Sequence, residues 1–81
     1  QTSLLLELTN ERGALAAVSI IIANEGADVQ DLDLRYIDIN MASLRLIVTI
    51  SSQIQLRRIT KALQREVRVH SVKRVQEYDL A

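Results

Sequence analysis

The chain has 81 residues, ten basic and ten acidic, and carries no formal net charge. This length allows one domain with a single core, and the balanced charge argues against a dedicated nucleic-acid binder. The lack of cysteine excludes disulfides and thiolate metal sites and is compatible with a cytoplasmic protein. No apolar run reaches the roughly 20 residues of a membrane helix, so we expect no membrane contact.

A short polar turn separates the first predicted strand from the first predicted helix. Alternate leucines predict one buried strand face, formed by Leu4, Leu6 and Leu8. From about Gly13 to Asn24 the apolar residues recur at helical spacing, at Leu15, Val18 and Ile22. Asn10 is a suitable helix N-cap because its side-chain oxygen can accept from a backbone N–H. The turn therefore predicts a helix start whose free N–H groups can bind a carboxylate or a phosphate.

Two further strands are predicted after Gly26, which suits the left-handed position that ends a helix. The second strand begins at about Asp28, and its apolar face contains Leu32, Leu34 and Tyr36. Val29 is out of phase with that face, so a bulge is expected near Gln30. Residues 37–40 predict a hairpin turn. The third strand alternates clearly and has an apolar face at Leu44, Leu46, Val48 and Ile50.

A second helix and a fourth strand complete the pattern. Ser51 or Ser52 can cap the helix, which runs to about Arg65 with an apolar stripe at Leu56, Ile59 and Leu63. The fourth strand is marked by Val67, Val69, Val72 and Val75. The charged tail from Gln76 is expected to fray. The order βαββαβ predicts an α+β, ferredoxin-like sandwich: a four-stranded antiparallel sheet with both helices on one face.

Two segments resemble the ACT domain, a small regulatory module of metabolic enzymes that in many members binds free amino acids. They are the turn Asn10-Glu11-Arg12-Gly13-Ala14-Leu15-Ala16 and the last strand, Val69-His70-Ser71-Val72-Lys73-Arg74-Val75. The segment Ala27-Asp28-Val29-Gln30-Asp31-Leu32 is most similar to the C-terminal ACT domain of RelA/SpoT-type (p)ppGpp synthetase/hydrolases. The similarity implies that residues 1–81 are one regulatory domain cut from a longer, multidomain cytoplasmic enzyme, a GTP pyrophosphokinase.

Two positions depart from the family pattern. Arg12 occupies a place where proline is frequent, and Val67-Arg68 replaces the Pro-Gly that often precedes the last strand. Neither change breaks the pattern of elements, but the second turn becomes less well defined.

The resemblance to serine-sensing ACT domains implies an amino-acid site at a dimer interface. The turn asparagine falls on Asn10, the polar residue that opens the second strand falls on Asp28, and an imidazole-bearing position falls on Leu8, which cannot form a hydrogen bond. The ligand amine would prefer Asp28, while its carboxylate would meet backbone N–H groups of Gly13, Ala14 and Leu15. The alternative is structural: Asn10 only caps a helix and Asp28 only stabilises a turn.

Other functions remain open at this level. Arg57, Arg58, Lys61 and Arg65 can offer a basic face to RNA or the ribosome, although a solvated helix face explains the same residues. The open sheet face can support a homodimer, with Ile37 and Ile47 as candidate contacts. The parent enzyme can be a (p)ppGpp synthetase/hydrolase, whose catalytic domain would then be the partner of this module. Alternatively, it can be an amino-acid biosynthetic enzyme under feedback control.

No set of residues indicates catalysis. His70 is the only histidine, and Asp31 and Asp33 on one strand face are typical of ordinary cross-strand pairing. Only Gly13 and Gly26 are glycines, so there is no glycine-rich phosphate loop. We therefore expect a non-catalytic module without a metal or cofactor.

Overall fold

The computed structural model describes residues 1–75, which form four strands and two helices in the predicted order. Their bounds are β1 (Thr2–Thr9), α1 (Ala14–Asn24), β2 (Asp28–Tyr36), β3 (Met41–Thr49), α2 (Gln53–Arg65) and β4 (Val69–Val75). Neither helix in this part of the chain has the length and apolar character needed to span a bilayer.

The strands form one antiparallel sheet in the order β2-β3-β1-β4. The central strand β1 places Leu6 opposite Leu44 of β3 on one side and opposite Val72 of β4 on the other. Each helix connects strands that are not neighbours, so β1-α1-β2 and β3-α2-β4 are crossovers. The predicted α+β, ferredoxin-like βαββαβ fold is confirmed.

The core lies between the sheet and the two helices. Alternate residues of β1 and β3 are buried and pack in a single cluster with Val18 and Ile22 of α1 and Leu56, Ile59 and Leu63 of α2. No polar or charged side chain in residues 1–75 is buried. Because both helices join one cluster, they cover the same sheet face, and the opposite face stays open.

Several local predictions are also confirmed. The β2–β3 register shifts between Val29 and Asp31, which is the bulge expected at Gln30. Gly26 has φ 80°, the left-handed conformation that ends α1. In the hairpin turn the Asp38 carboxylate accepts from the N–H groups of Asn40 and Met41, at 2.7 and 2.9 Å.

The ends of two strands differ from the prediction. The third strand ends at Thr49, so Ile50 follows it, although Ile50 still packs against the core. The fourth strand begins at Val69 and not at Val67, whose side chain is 83% exposed. The cause is the turn before it: the Val69 N–H donates to the Glu66 carbonyl, which closes a turn over residues 66–69 and leaves Val67 inside that turn. The fraying predicted from Gln76 onward lies outside the described residues.

Candidate functional site

The turn between β1 and α1 is anchored to the β2–β3 hairpin through Asn10. Its backbone N–H donates to the Asn40 carbonyl at 2.7 Å, and its side-chain Nδ2 donates to the Ile39 carbonyl at 3.2 Å. The prediction that Asn10 caps α1 is therefore wrong, because the side chain reaches across to another turn. The amide oxygen Oδ1 accepts no hydrogen bond from residues 1–75 and is available to a ligand.

The cap position of α1 is held instead by Gly13, in the left-handed conformation with φ 87° and without a side-chain cap. The Ala14 N–H donates to the Glu11 carbonyl, and the first helical bond runs from the Ala17 N–H to the Gly13 carbonyl at 2.9 Å. Within residues 1–75 the N–H groups of Leu15 and Ala16 have no acceptor. They point out of the positive end of the helix dipole, where an anion is stabilised.

These groups border a cavity of about 270 Å³, which we call the turn cavity. One wall is the β1–α1 turn, and the other is formed by residues of β2 and β3. Its lining consists of Leu8, Thr9, Asn10, Glu11, Gly13, Ala14, Leu15, Ala16, Leu34, Tyr36 and Ala42. The cavity therefore combines an apolar wall with two free backbone donors, a free amide oxygen and a carboxylate.

The carboxylate of Glu11 is held by an arginine from the far end of the chain. Arg68 Nε lies 2.9 Å from Glu11 Oε1, and Arg68 Nη1 lies 3.2 Å from Glu66 Oε2. The backbone adds a bond, from the Thr9 N–H to the Arg68 carbonyl at 2.8 Å. The rim of the turn cavity is thus joined to the segment between α2 and β4.

The sequence match decides the family. The family model described as the ACT domain matches residues 1–74. The chain belongs to the ACT domain family. ACT domains are regulatory modules without catalytic activity of their own, and nothing in residues 1–75 groups three or more histidine or carboxylate side chains in a way that could hold a metal ion.

Solved structures share this ACT fold. The crystal structure of the ACT domain from GTP pyrophosphokinase of Chlorobium tepidum superposes with a TM-score of 0.78 at 14% identity, covering 91% of this chain and 95% of that chain. Its solution structure gives a TM-score of 0.76 at 13% identity, covering 94% of this chain and 85% of that one. A homoserine dehydrogenase from Thiobacillus denitrificans superposes with a TM-score of 0.73 at 16% identity, and the match covers 91% of this chain but 17% of the dehydrogenase. A search of curated proteins finds no match.

The predicted ligand residues of this ACT domain do not all come together. Asn10, Gly13, Ala14 and Leu15 line the turn cavity, but Asp28 pairs with Thr49, at the opposite end of the sheet from Thr9 and Met41. Eight positions of β3 separate Thr49 from Met41, roughly 26 Å of strand. Within one chain, Asp28 therefore cannot contact a ligand held by Asn10.

The wall of β2 and β3 is the part of the site that sequence reasoning missed. Ala16, Leu34, Tyr36 and Ala42 line the cavity but were not among the predicted ligand residues. The alternation of β2 indicates that Leu34 and Tyr36 share a face with Ala42. It does not indicate that β2, an edge strand, leaves that face uncovered next to the helix start.

The two predicted dimer contacts lie far apart on the ACT domain. Ile37 is 56% exposed in the β2–β3 turn, near the turn cavity. Ile47 is paired with Ser3 and Asp31, six positions of β3 away from Met41, and its alternation with Leu46 and Val48 places it on the open sheet face. The two isoleucines therefore do not form one continuous contact patch.

Proposed function

We propose that this ACT domain binds a free amino acid in the turn cavity, as part of a homodimer, and passes the occupancy of that cavity to the catalytic half of a (p)ppGpp synthetase/hydrolase. The observation that carries the proposal is the set of complementary groups around one space of about 270 Å³. That volume is slightly below the range of drug-sized ligand sites, so it suits a small metabolite.

Each part of an amino acid has a counterpart in the cavity. Its carboxylate would accept from the N–H groups of Leu15 and Ala16 at the start of α1. Its ammonium group would donate to Asn10 Oδ1 and face the Glu11 carboxylate. Its side chain would lie against the apolar wall of Leu34 and Tyr36. A simple anion would satisfy only the first of these contacts.

Arg68 can transmit the presence of a ligand in the turn cavity to the segment that follows α2. An ammonium group near Glu11 competes with Arg68 for the same carboxylate, and Arg68 also contacts Glu66 just after α2. A ligand that binds one arrangement of these charges better than another shifts the population of the two arrangements. The regulated reaction would be pyrophosphoryl transfer from ATP to GTP or GDP, or the hydrolysis of its product, in the cytoplasm.

The homodimer is supported by an uncovered apolar surface, which we call the α1–β2 surface. It contains Ile20 of α1 and Val29, Leu32 and Tyr36 of β2, all exposed. Apart from Ser19 and the final Asn24, α1 is apolar on all sides, and such helices are normally buried. The edge strand β2 also offers unpaired backbone groups to a second copy. Tyr36 belongs to both this surface and the turn cavity, so a second copy bound there would approach the ligand. The partner's Asp28 could then make the contact to the ligand amine that Asp28 of the same chain cannot make.

The choice of parent enzyme depends on the sequence resemblance to RelA/SpoT-type ACT domains and on the enzyme from which the similar ACT domain structures come. The GTP pyrophosphokinase of Chlorobium tepidum carries a domain of this fold over nearly the same length. The second candidate is an amino-acid biosynthetic enzyme under feedback control, because a homoserine dehydrogenase carries the fold as well. The two candidates differ in the catalytic domain that this ACT domain would regulate.

Calorimetric titration of the 81-residue chain with each of the twenty amino acids tests the proposal. We expect heat from a small subset at millimolar concentration. Ala16→Leu would fill the cavity and should weaken that binding about tenfold or more. Ala23→Leu is the matched control, because Ala23 is an exposed alanine of the same helix and does not line the cavity. If no amino acid gives heat, or if both variants weaken binding equally, the amino-acid site is refuted.

A further inference from the structure

A second, larger cavity of about 370 Å³ lies between α2 and β4, and we call it the α2–β4 groove. One side follows successive turns of α2, and the other is closed by a single residue of β4. The lining consists of Gln53, Leu56, Arg57, Thr60, Lys61, Gln64 and Arg74. None of these residues borders the turn cavity, so the groove is separate from the proposed amino-acid site.

Among residues 1–75, the groove is lined by three cationic side chains and no carboxylate. Arg57 and Lys61 are one helical turn apart on α2, a spacing at which like charges repel. Arg74 is paired with Leu4 in the sheet, which places it on the helix-covered face and next to α2. Within residues 1–75 none of the three forms an ion pair. No carboxylate of that part of the chain offsets their repulsion, and an anion in the groove would reduce it.

The other groups in the groove are suited to a phosphate ester. An arginine fork can bind two phosphate oxygens at once, and lysine adds a compact positive charge. The amides of Gln53 and Gln64 are further donors at the rim. Leu56 is buried and provides an apolar floor for the organic part of the ligand. We propose that the α2–β4 groove is a binding site for a small organic phosphate.

A polynucleotide fits these features less well than a small phosphate. Proteins that bind single-stranded nucleic acid combine a basic track with aromatic side chains on which bases stack. In the part of the chain that the structure describes, no aromatic residue lines the groove, and Tyr36 lies on the opposite edge of the sheet. The two other basic residues of α2, Arg58 and Arg65, lie outside the groove, so the three cations border one short open groove and do not form a continuous basic track along α2.

Calorimetric titration of the 81-residue chain with inorganic pyrophosphate at low ionic strength tests this proposal. We expect binding that weakens as salt is added. Arg57→Gln and Arg74→Gln should each weaken it about tenfold or more, since each removes a charge-assisted hydrogen bond. The matched controls Arg58→Gln and Arg65→Gln remove the same charge from α2 outside the groove and should change affinity less than about twofold.

Other outcomes separate this proposal from its alternatives. Circular dichroism of each variant identifies any loss of binding caused by unfolding. Arg74→Lys keeps the charge but not the fork, so it should lose less affinity than Arg74→Gln. Equal losses in the groove and control variants would mean a diffuse charge effect and would overturn the proposal. Binding of oligouridylate but not of pyrophosphate would assign the surface to RNA and overturn it as well. Ala16→Leu fills the turn cavity and not the groove, so it should leave pyrophosphate binding unchanged. The two proposals can therefore fail independently of each other.

Discussion

The guanidinium of Arg68 joins Glu11 to Glu66, two carboxylates that stand 55 positions apart in the chain. Glu11 lines the turn cavity, and Glu66 follows the last residue of α2. The Glu66 carboxylate also accepts the Arg68 backbone N–H at 3.0 Å. This double anchor fixes the position of Arg68, so the pair with Glu11 needs less ordering than an ordinary surface pair.

Replacing Arg68 by alanine is expected to lower the free energy of unfolding by about 0.5–1 kcal/mol, the upper part of the range for partly exposed pairs. The side chains of Arg68 and Glu11 are 36% and 50% exposed, so solvent screening limits the effect. Arg35→Ala is the control, because the Arg35–Asp33 pair involves a 75% exposed arginine. Urea unfolding followed by circular dichroism measures both variants. Equal stability losses in the two variants would show that the Arg68 anchor contributes no more than an ordinary exposed pair.

Gly13→Ala should destabilise the domain by about 1–2 kcal/mol, which is the cost of a left-handed backbone for an L-residue. The glycine has φ 87°, and a Cβ built there meets no atom within 4 Å, so the cost is conformational and not steric. Gly13→Asn should cost less, because asparagine tolerates this conformation better than alanine. Thermal unfolding distinguishes the two variants. A stable Gly13→Ala protein would mean that the turn relaxes out of the left-handed region.

Ser52→Ala should lower the free energy of unfolding by about 1 kcal/mol, because the Ser52 hydroxyl caps α2. Its Oγ accepts from the Gln55 N–H at 3.1 Å. Within residues 1–75 the Ser51 hydroxyl donates only to the Gln55 side chain, at 3.0 Å, so Ser51→Ala is the matched control and should cost less. Chemical unfolding of both variants decides between the two serines that the sequence left open. The reverse order of stabilities would assign the cap to Ser51.

The fold was predictable because its signals are local. Alternation in β1 and β3, helical spacing in α2 and the phase change at Val29 each depend on residues within one segment. The site was predicted only in part. Asn10 is near a helix start in sequence, yet its side chain donates a hydrogen bond to the carbonyl of Ile39, 29 positions away. The contact with that distant carbonyl orients the Asn10 side chain away from α1, whose cap position is Gly13, and such a tertiary contact cannot be deduced from the turn alone.

Ile20→Glu is expected to weaken the proposed dimer by placing a charge within the α1–β2 surface. Ile20 is 59% exposed, so the folded monomer should tolerate the glutamate, while burying an unpaired charge in an interface is costly. Ile54→Glu is the control, because Ile54 is 61% exposed on the other helix, outside that surface. Sedimentation velocity over a range of concentrations should show a dimer for the unchanged chain and for Ile54→Glu, and a monomer for Ile20→Glu. Loss of the dimer in Ile54→Glu alone would place the interface on α2, and a chain that is monomeric at every concentration would refute the dimer altogether.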